Sequence, residues 1–105
     1  TSEDYARFLV EILQEDRSAP HSISDALRAR MLTPISRRDD PDSDWGLGWG
    51  LRVRDGLGVA FHSGSNSTGF RCYSEFSLET GDGLVVMTNA ASGKNVWEAL
   101  IDAKP

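Results

Sequence analysis

The spacing of apolar residues predicts three helices, two before residue 34 and one at the end of the chain. In the first segment, apolar side chains recur every three or four residues, which predicts a helix over residues 2–14 that Thr1 or Ser2 can cap. A second, shorter helix is predicted after Ser22 or Ser24 and ends before Pro34. The same spacing predicts a final helix over residues 92–103, with one apolar stripe formed by Val96, Trp97, Leu100 and Ile101.

Four strands are predicted between these helices, and all ten glycines fall between Gly46 and Gly93. Strict alternation predicts a strand over residues 45–53, and Asp55-Gly56 predicts a tight turn into a strand over residues 59–63. A third strand over residues 70–78 places Phe70, Cys72, Phe76 and Leu78 on one face, with Cys72 as a core residue. The continuous apolar run at residues 84–87 is typical of a strand covered on both faces and therefore central to its sheet.

The predicted fold class is α+β, with an antiparallel meander of about four strands flanked by N-terminal helices and a C-terminal helix. A chain of 105 residues is expected to form one domain, residues 1–105. The net charge of −5 argues against a nucleic-acid partner, and no apolar run has the length of a membrane span. With one cysteine and two histidines, we expect no internal disulfide, no metal site and no cofactor. The charged residues at 35–44 are interpreted as a solvated loop.

The polar segment at residues 62–69 has two interpretations. It can be a simple polar loop between two strands. It can also be a site, because a strand followed by Gly64 allows a ligand to approach main-chain N–H groups, and such groups can stabilise a carbonyl oxygen as it becomes negative. His62 would add a titratable donor to that site, or it would be an ordinary surface histidine.

Several short motifs, in order, closely resemble the carboxy-terminal part of the serine β-lactamase-like family. That family includes penicillin-binding DD-peptidases, class C β-lactamases and related esterases. The resemblance begins with the opening helix and extends over essentially the whole chain; its motifs are WGLGWGL at residues 45–51, HSG at 62–64, GF at 69–70 and LVVMTN at 84–89.

The resemblance implies roles for four residues. The family uses Ser-x-x-Lys for the nucleophile, Tyr-x-Asn for proton transfer, and Lys-Thr-Gly or His-x-Gly on a strand beside the site. The third motif matches His62-Ser63-Gly64. This match implies that His62 takes the lysine-like catalytic role, that Ser63 and Gly64 contact substrate, and that the main-chain N–H of Ser65 forms half of the oxyanion hole.

The first two motifs have no match in these 105 residues, since no serine is followed three residues later by lysine and neither tyrosine begins Tyr-x-Asn. We therefore expect the chain to be inactive alone and to correspond to the last third of a serine hydrolase that acts on a small acyl substrate, a β-lactam, a D-amino-acid peptide or an ester. Its expected partner is the missing N-terminal part of the same protein or a second copy of itself. The resemblance favours a periplasmic or secreted location, although the residues themselves leave the compartment open.

Two other hypotheses remain open at this stage. The chain can be a non-catalytic interaction module that uses the same sheet to bind a protein or peptide, which the missing nucleophile favours. It can also be a freestanding α+β domain whose motif matches are accidental.

Overall fold

The computed structural model describes residues 1–16, 18, 20–36 and 44–103. Its helices are α1 (Ser2–Leu13), α2 (Asp25–Met31) and α3 (Lys94–Asp102), the last preceded by a 3₁₀ turn at Ala91–Gly93. Its strands form one antiparallel sheet in sequence order, consisting of β1 (Asp44–Trp45), β2 (Gly50–Arg54), β3 (Leu57–Ser65), β4 (Arg71–Phe76) and β5 (Gly83–Thr88). The predicted α+β class and the antiparallel meander are confirmed. Most of the charged segment, residues 37–43, lies outside the described residues.

Side-chain caps determine where the first two helices begin. Thr1 caps α1 in a capping box, because its hydroxyl accepts from the Asp4 N–H while the Asp4 carboxylate bonds back to the Thr1 backbone. Ser24, one of the two predicted caps, accepts from the Leu27 N–H at the start of α2. Both predicted helices are confirmed.

The prediction of one strand over residues 45–53 was wrong. The chain turns back between β1 and β2, and the Gly46 N–H donates to the Trp49 carbonyl across that turn. Gly48 has a φ of +84°, which glycine adopts without steric cost. Trp45 pairs with Gly50, so it lies on the face opposite to Trp49 and Leu51. The alternation in the sequence continues through the turn although the two faces are exchanged there, and alternation alone therefore does not reveal the turn.

The main core lies between the helices α1 and α2 and one face of the sheet, which we call the α1 face. Phe76 is 1% exposed at its centre and meets the Trp49 ring edge-on, with 4.9 Å between ring centroids. The other buried members of this cluster are Leu9, Ile12, Met31 and Ala60. Burial of this apolar surface is the main force that holds the two helices on the sheet.

The C-terminal helix packs against part of the opposite face, which we call the α3 face. Trp97 of α3 stacks on Tyr73 of β4 with a centroid distance of 5.4 Å and an interplanar angle of 13°. Val96 and Leu100 of the predicted apolar stripe remain about half exposed. In the described part of the chain, no helix has both the length and the apolar character needed to cross a bilayer.

Two further expectations about burial were wrong. Cys72 is exposed, and so are Phe70 and Leu78, although they share a strand face with the buried Phe76. The helices α1 and α2 cover only one end of β4. Alternation therefore predicts which face of the strand is apolar, but not how much of that face the helices bury. The strand β5 lies at the edge of the sheet rather than at its centre.

Candidate functional site

The predicted site lies where β3 continues beyond its neighbour β2. The last β2–β3 pair is Gly50 with Phe61, whereas the β3–β4 pairing continues to Ser65 with Arg71. Residues 62–65 therefore have a paired strand on one side and, among the described residues, no strand on the other. A strand edge of this kind leaves main-chain donors available to a ligand.

The hydrogen-bond pattern determines which main-chain donors face that open edge. Asn66 N–H donates to the Phe70 carbonyl at 3.3 Å, so the hydrogen-bonded β3–β4 pairs fall on residues 62, 64 and 66. Alternation then directs the N–H groups of Ser63 and Ser65 away from β4, toward the open edge. The Ser65 N–H is the donor that the resemblance assigned to an oxyanion hole.

The side chains of the motif do not converge on one face. The exposed His62 ring lies on the α1 face, edge-on to Trp45 at 5.9 Å and to Trp49 at 6.4 Å between centroids. The side chains of Ser63 and Ser65 point to the α3 face. His62 and the free N–H groups of Ser63 and Ser65 all belong to the stretch of β3 that extends past β2, so a substrate in contact with all of them would lie along the open edge.

The polar loop after β3 is held by its own hydrogen bonds. The Asn66 side-chain oxygen accepts from the Thr68 hydroxyl at 2.9 Å and from the N–H groups of Thr68 and Phe70 at 3.2 and 3.1 Å. Arg71 donates to the carbonyls of Asn66 and Phe70 at 2.8 and 2.9 Å. Sequence reasoning missed this role of Arg71; an arginine two residues after the polar segment was the available signal.

Gly64 allows close contact between β3 and β4. A Cβ at this position would lie 2.8 Å from the Cys72 sulfur, closer than real Cβ atoms come to such a neighbour. The glycine of the motif therefore has a packing reason in addition to any role toward a substrate.

An open groove of about 850 Å³ lies on the α3 face beside the open edge. Ser63, Gly64 and Ser65 line one end of it, and its remaining wall carries both cations and carboxylates, among them Arg52, Arg54, Arg71, Lys94, Glu98 and Asp102. Two of those cations are paired within the chain, Arg54 with Glu75 and Lys94 with Glu98. Among the described residues, no group of three histidine, cysteine or carboxylate side chains could hold a metal ion.

A buried polar network supports the floor of this groove. The Glu75 carboxylate, 1% exposed, accepts two hydrogen bonds from Arg54 at 2.6 and 2.8 Å and one from the Tyr73 hydroxyl at 2.9 Å. Arg52 donates to the Tyr73 hydroxyl, and its guanidinium carbon lies 3.9 Å from the centroid of the Phe61 ring. The network ties β2 to β4 across β3, and sequence reasoning missed it because nothing local marks Glu75 as buried.

The network predicts a loss of stability at high pH. Burial, and then the bond to Glu75, raise the pKa of Tyr73 from 10.0 to about 12. The folded state therefore keeps this proton after the unfolded chain has lost it, so the stabilisation is complete below pH 10 and is lost between about pH 10 and 12. We expect the free energy of unfolding to fall by about 2 kcal/mol over that range. Urea unfolding at several pH values measures it; in Tyr73→Phe this part of the slope should vanish, and an unchanged slope would contradict the assignment.

Comparison with known proteins identifies the family of the chain. The family model described as Beta-lactamase matches residues 1–103. Neither the search of curated proteins nor the search of solved structures found a match. Because the family match covers nearly every residue, the chain belongs to the serine β-lactamase-like family.

Proposed function

We propose that this chain is the carboxy-terminal part of a serine hydrolase, in which it supplies the His-Ser-Gly strand and one wall of the oxyanion hole. The observation that carries the proposal is the four-residue extension of β3 past β2, with the N–H groups of Ser63 and Ser65 directed to the open edge. Membership of the family supports a hydrolase of the serine type. The 105 residues would form a single domain of that enzyme.

The proposed chemistry is acyl transfer to a serine that these residues do not contain. As the nucleophile attacks the carbonyl carbon, the carbonyl oxygen gains negative charge, and the Ser65 N–H would donate to it from the open edge. The second donor would be the N–H of the nucleophile itself. His62, on the other side of the strand, would assist proton transfer at the nucleophile, and Ser63 and Gly64 would contact the substrate.

The substrate would be a small acyl compound, such as a β-lactam, a D-amino-acid peptide or an ester. The groove beside the open edge offers both cations and carboxylates, so its charge favours none of these classes. The N-terminal part of the same protein would supply the nucleophile and further walls of the pocket, and a location outside the cytoplasm would suit such an enzyme.

An interaction module is the second candidate. The free edge of β5 supports it, because a strand edge can pair with another chain. The two functions differ in which edge of the sheet is used: the hydrolase uses the end of β3, and the module uses β5.

The proposal is tested by comparing the hydrolysis rate of the isolated chain with that of a chimera that contains a nucleophilic serine. We expect the isolated chain to hydrolyse a chromogenic β-lactam or an aryl ester no faster than buffer. A chimera in which this chain replaces the carboxy-terminal third of a β-lactamase-family hydrolase should be active. In that chimera, His62→Ala should lower kcat by about 100-fold, because proton transfer at the nucleophile would lose its partner.

Ser67→Ala is the matched control for this substitution, since Ser67 is an exposed residue of the same loop. It should leave kcat within about twofold of the unsubstituted chimera. A folded chimera in which His62→Ala turns over as fast as Ser67→Ala would refute the role of His62.

A further inference from the structure

The motif WGLGW at residues 45–49 contains the turn between β1 and β2. Its first glycine allows this turn to pack tightly on α2, because a Cβ on Gly46 would overlap the Met31 carbonyl oxygen. The Leu47 N–H donates to the Arg30 carbonyl at 3.3 Å and ties the turn to the same helix. The tryptophan on each side of the turn therefore has a defined position.

The two tryptophans approach His62 from opposite faces of the sheet. Trp45 pairs with Gly50 and Gly50 pairs with Phe61, so all three lie on the α3 face. Trp49 lies on the α1 face, where it belongs to the main core and is 3% exposed. Both indole rings are perpendicular to the imidazole, and their centroids lie 5.9 and 6.4 Å from its centroid. These distances are those of aromatic rings in contact.

The two indoles are the groups that orient the imidazole of His62. In the described part of the chain, no hydrogen bond or ion pair holds this ring, and the residue is exposed. A functional histidine is often oriented through a hydrogen bond at one of its ring nitrogens. Contact with an aromatic ring restricts the imidazole without using either nitrogen, because the attraction is between the edge of one ring and the face of the other. Both nitrogens of His62 therefore stay available for proton transfer.

We propose that Trp45 and Trp49 are positioning residues for His62, and that they fix its imidazole at the open edge from the two faces of the sheet. This inference rests on the proposed hydrolase function, in which His62 assists proton transfer at a nucleophile. A misplacement of about 1 Å can slow such a step by about 100-fold, so a loosened imidazole lowers kcat rather than raising KM. In this proposal, the glycines of WGLGW allow the turn and its tryptophans hold the histidine.

Trp45 is the residue to substitute, because it is half-buried, whereas Trp49 lies in the core and its loss would disturb folding. In the chimeric hydrolase, Trp45→Ala should lower kcat by about 10-fold and leave KM within about twofold. Trp45→Phe keeps an aromatic ring beside the imidazole and should retain at least about a third of kcat. In a His62→Ala background, Trp45→Ala should cause no further loss, because the residue that it positions is absent.

Proton NMR of the 105-residue chain tests the same contact without measuring activity. The ring protons of His62, identified by their loss in His62→Ala, experience the ring currents of the neighbouring indoles. Replacing an indole by a smaller ring changes that ring current, so Trp45→Phe should shift the His62 resonances. Trp97→Phe is the matched control, since Trp97 stacks on Tyr73, and it should leave them in place.

The outcomes distinguish failure of this inference from failure of the proposed function. If His62→Ala leaves kcat of the chimera unchanged, the proposed function fails and the positioning role fails with it. If His62→Ala is slow while Trp45→Ala keeps full kcat, only the positioning role is overturned. The positioning role is also overturned if Trp45→Ala slows the His62→Ala chimera by the same factor, as loss of a purely structural residue would, or if Trp45→Phe leaves the His62 resonances unmoved.

Discussion

Ser65→Pro should lower kcat of the chimeric hydrolase by about 100- to 1,000-fold, whereas Ser65→Ala should leave kcat within about threefold of the unsubstituted chimera. Proline has no N–H, so it removes the proposed oxyanion donor, while alanine removes only the hydroxyl and keeps that donor. The strand should tolerate the proline, because the Ser65 N–H faces the open edge and makes no bond to β4. The expected loss in kcat is the usual effect of removing one of the two N–H donors to an oxyanion that forms in the transition state.

The comparison has two conditions. The two variants must be equally folded, and the effect of the bulky proline ring must be separated from the effect of losing the N–H donor. Circular dichroism and urea midpoints check the first condition. An amide-to-ester replacement at the bond between Gly64 and Ser65 checks the second, because it removes the same N–H and adds no ring. If Ser65→Pro and the ester variant both turn over within threefold of Ser65→Ala, the oxyanion role is refuted.

Phe76→Ala should destabilise the isolated chain by about 3–5 kcal/mol, the cost of removing a large side chain from a packed core. Phe76 is 1% exposed and loses both its apolar burial and its edge-on contact with Trp49. Domains of this size are commonly stable by only about 5–15 kcal/mol, so much of the total would be lost. Urea unfolding at a concentration where the chain is monomeric gives the difference from the midpoint and slope.

Phe70→Ala provides the matched control. Phe70 is also a phenylalanine, and alternation assigns it to the same face as Phe76. It is 54% exposed, however, so its replacement should lower the free energy of unfolding by less than about 1 kcal/mol. Equal losses for the two variants would mean that the core does not lie where the structure places it.

This pair of phenylalanines also shows the limit of sequence reasoning about the fold. Alternation correctly assigns Phe70, Cys72 and Phe76 to one face, because the two-residue period is a local property of an extended chain. Whether each position is covered depends on where α1 and α2 lie, and nothing within the strand encodes that. Cys72 was therefore expected in the core and is exposed.

For the candidate site, too, the sequence predicted some features and not others. Residue identities and order alone led to His62-Ser63-Gly64 and to the family, because the motif is contiguous. The direction of the Ser65 N–H required the observed β3–β4 hydrogen-bond pattern. That it meets an open edge required the β2–β3 pairing, in which the pair nearest the motif is Gly50 with Phe61. The Arg54–Glu75–Tyr73 network joins Arg54 to Glu75, which lies 21 positions further along the chain, and had no local signal.

The sequence by itself determined the helices, the antiparallel meander and the location of the motif, because helix caps, turn glycines and apolar periods act over a few neighbouring residues. Only the tertiary structure decided which strand lies at the edge, which apolar residues are covered and which main-chain donors are free. Those properties belong to pairs of segments, so they arise only when the strands have found their neighbours.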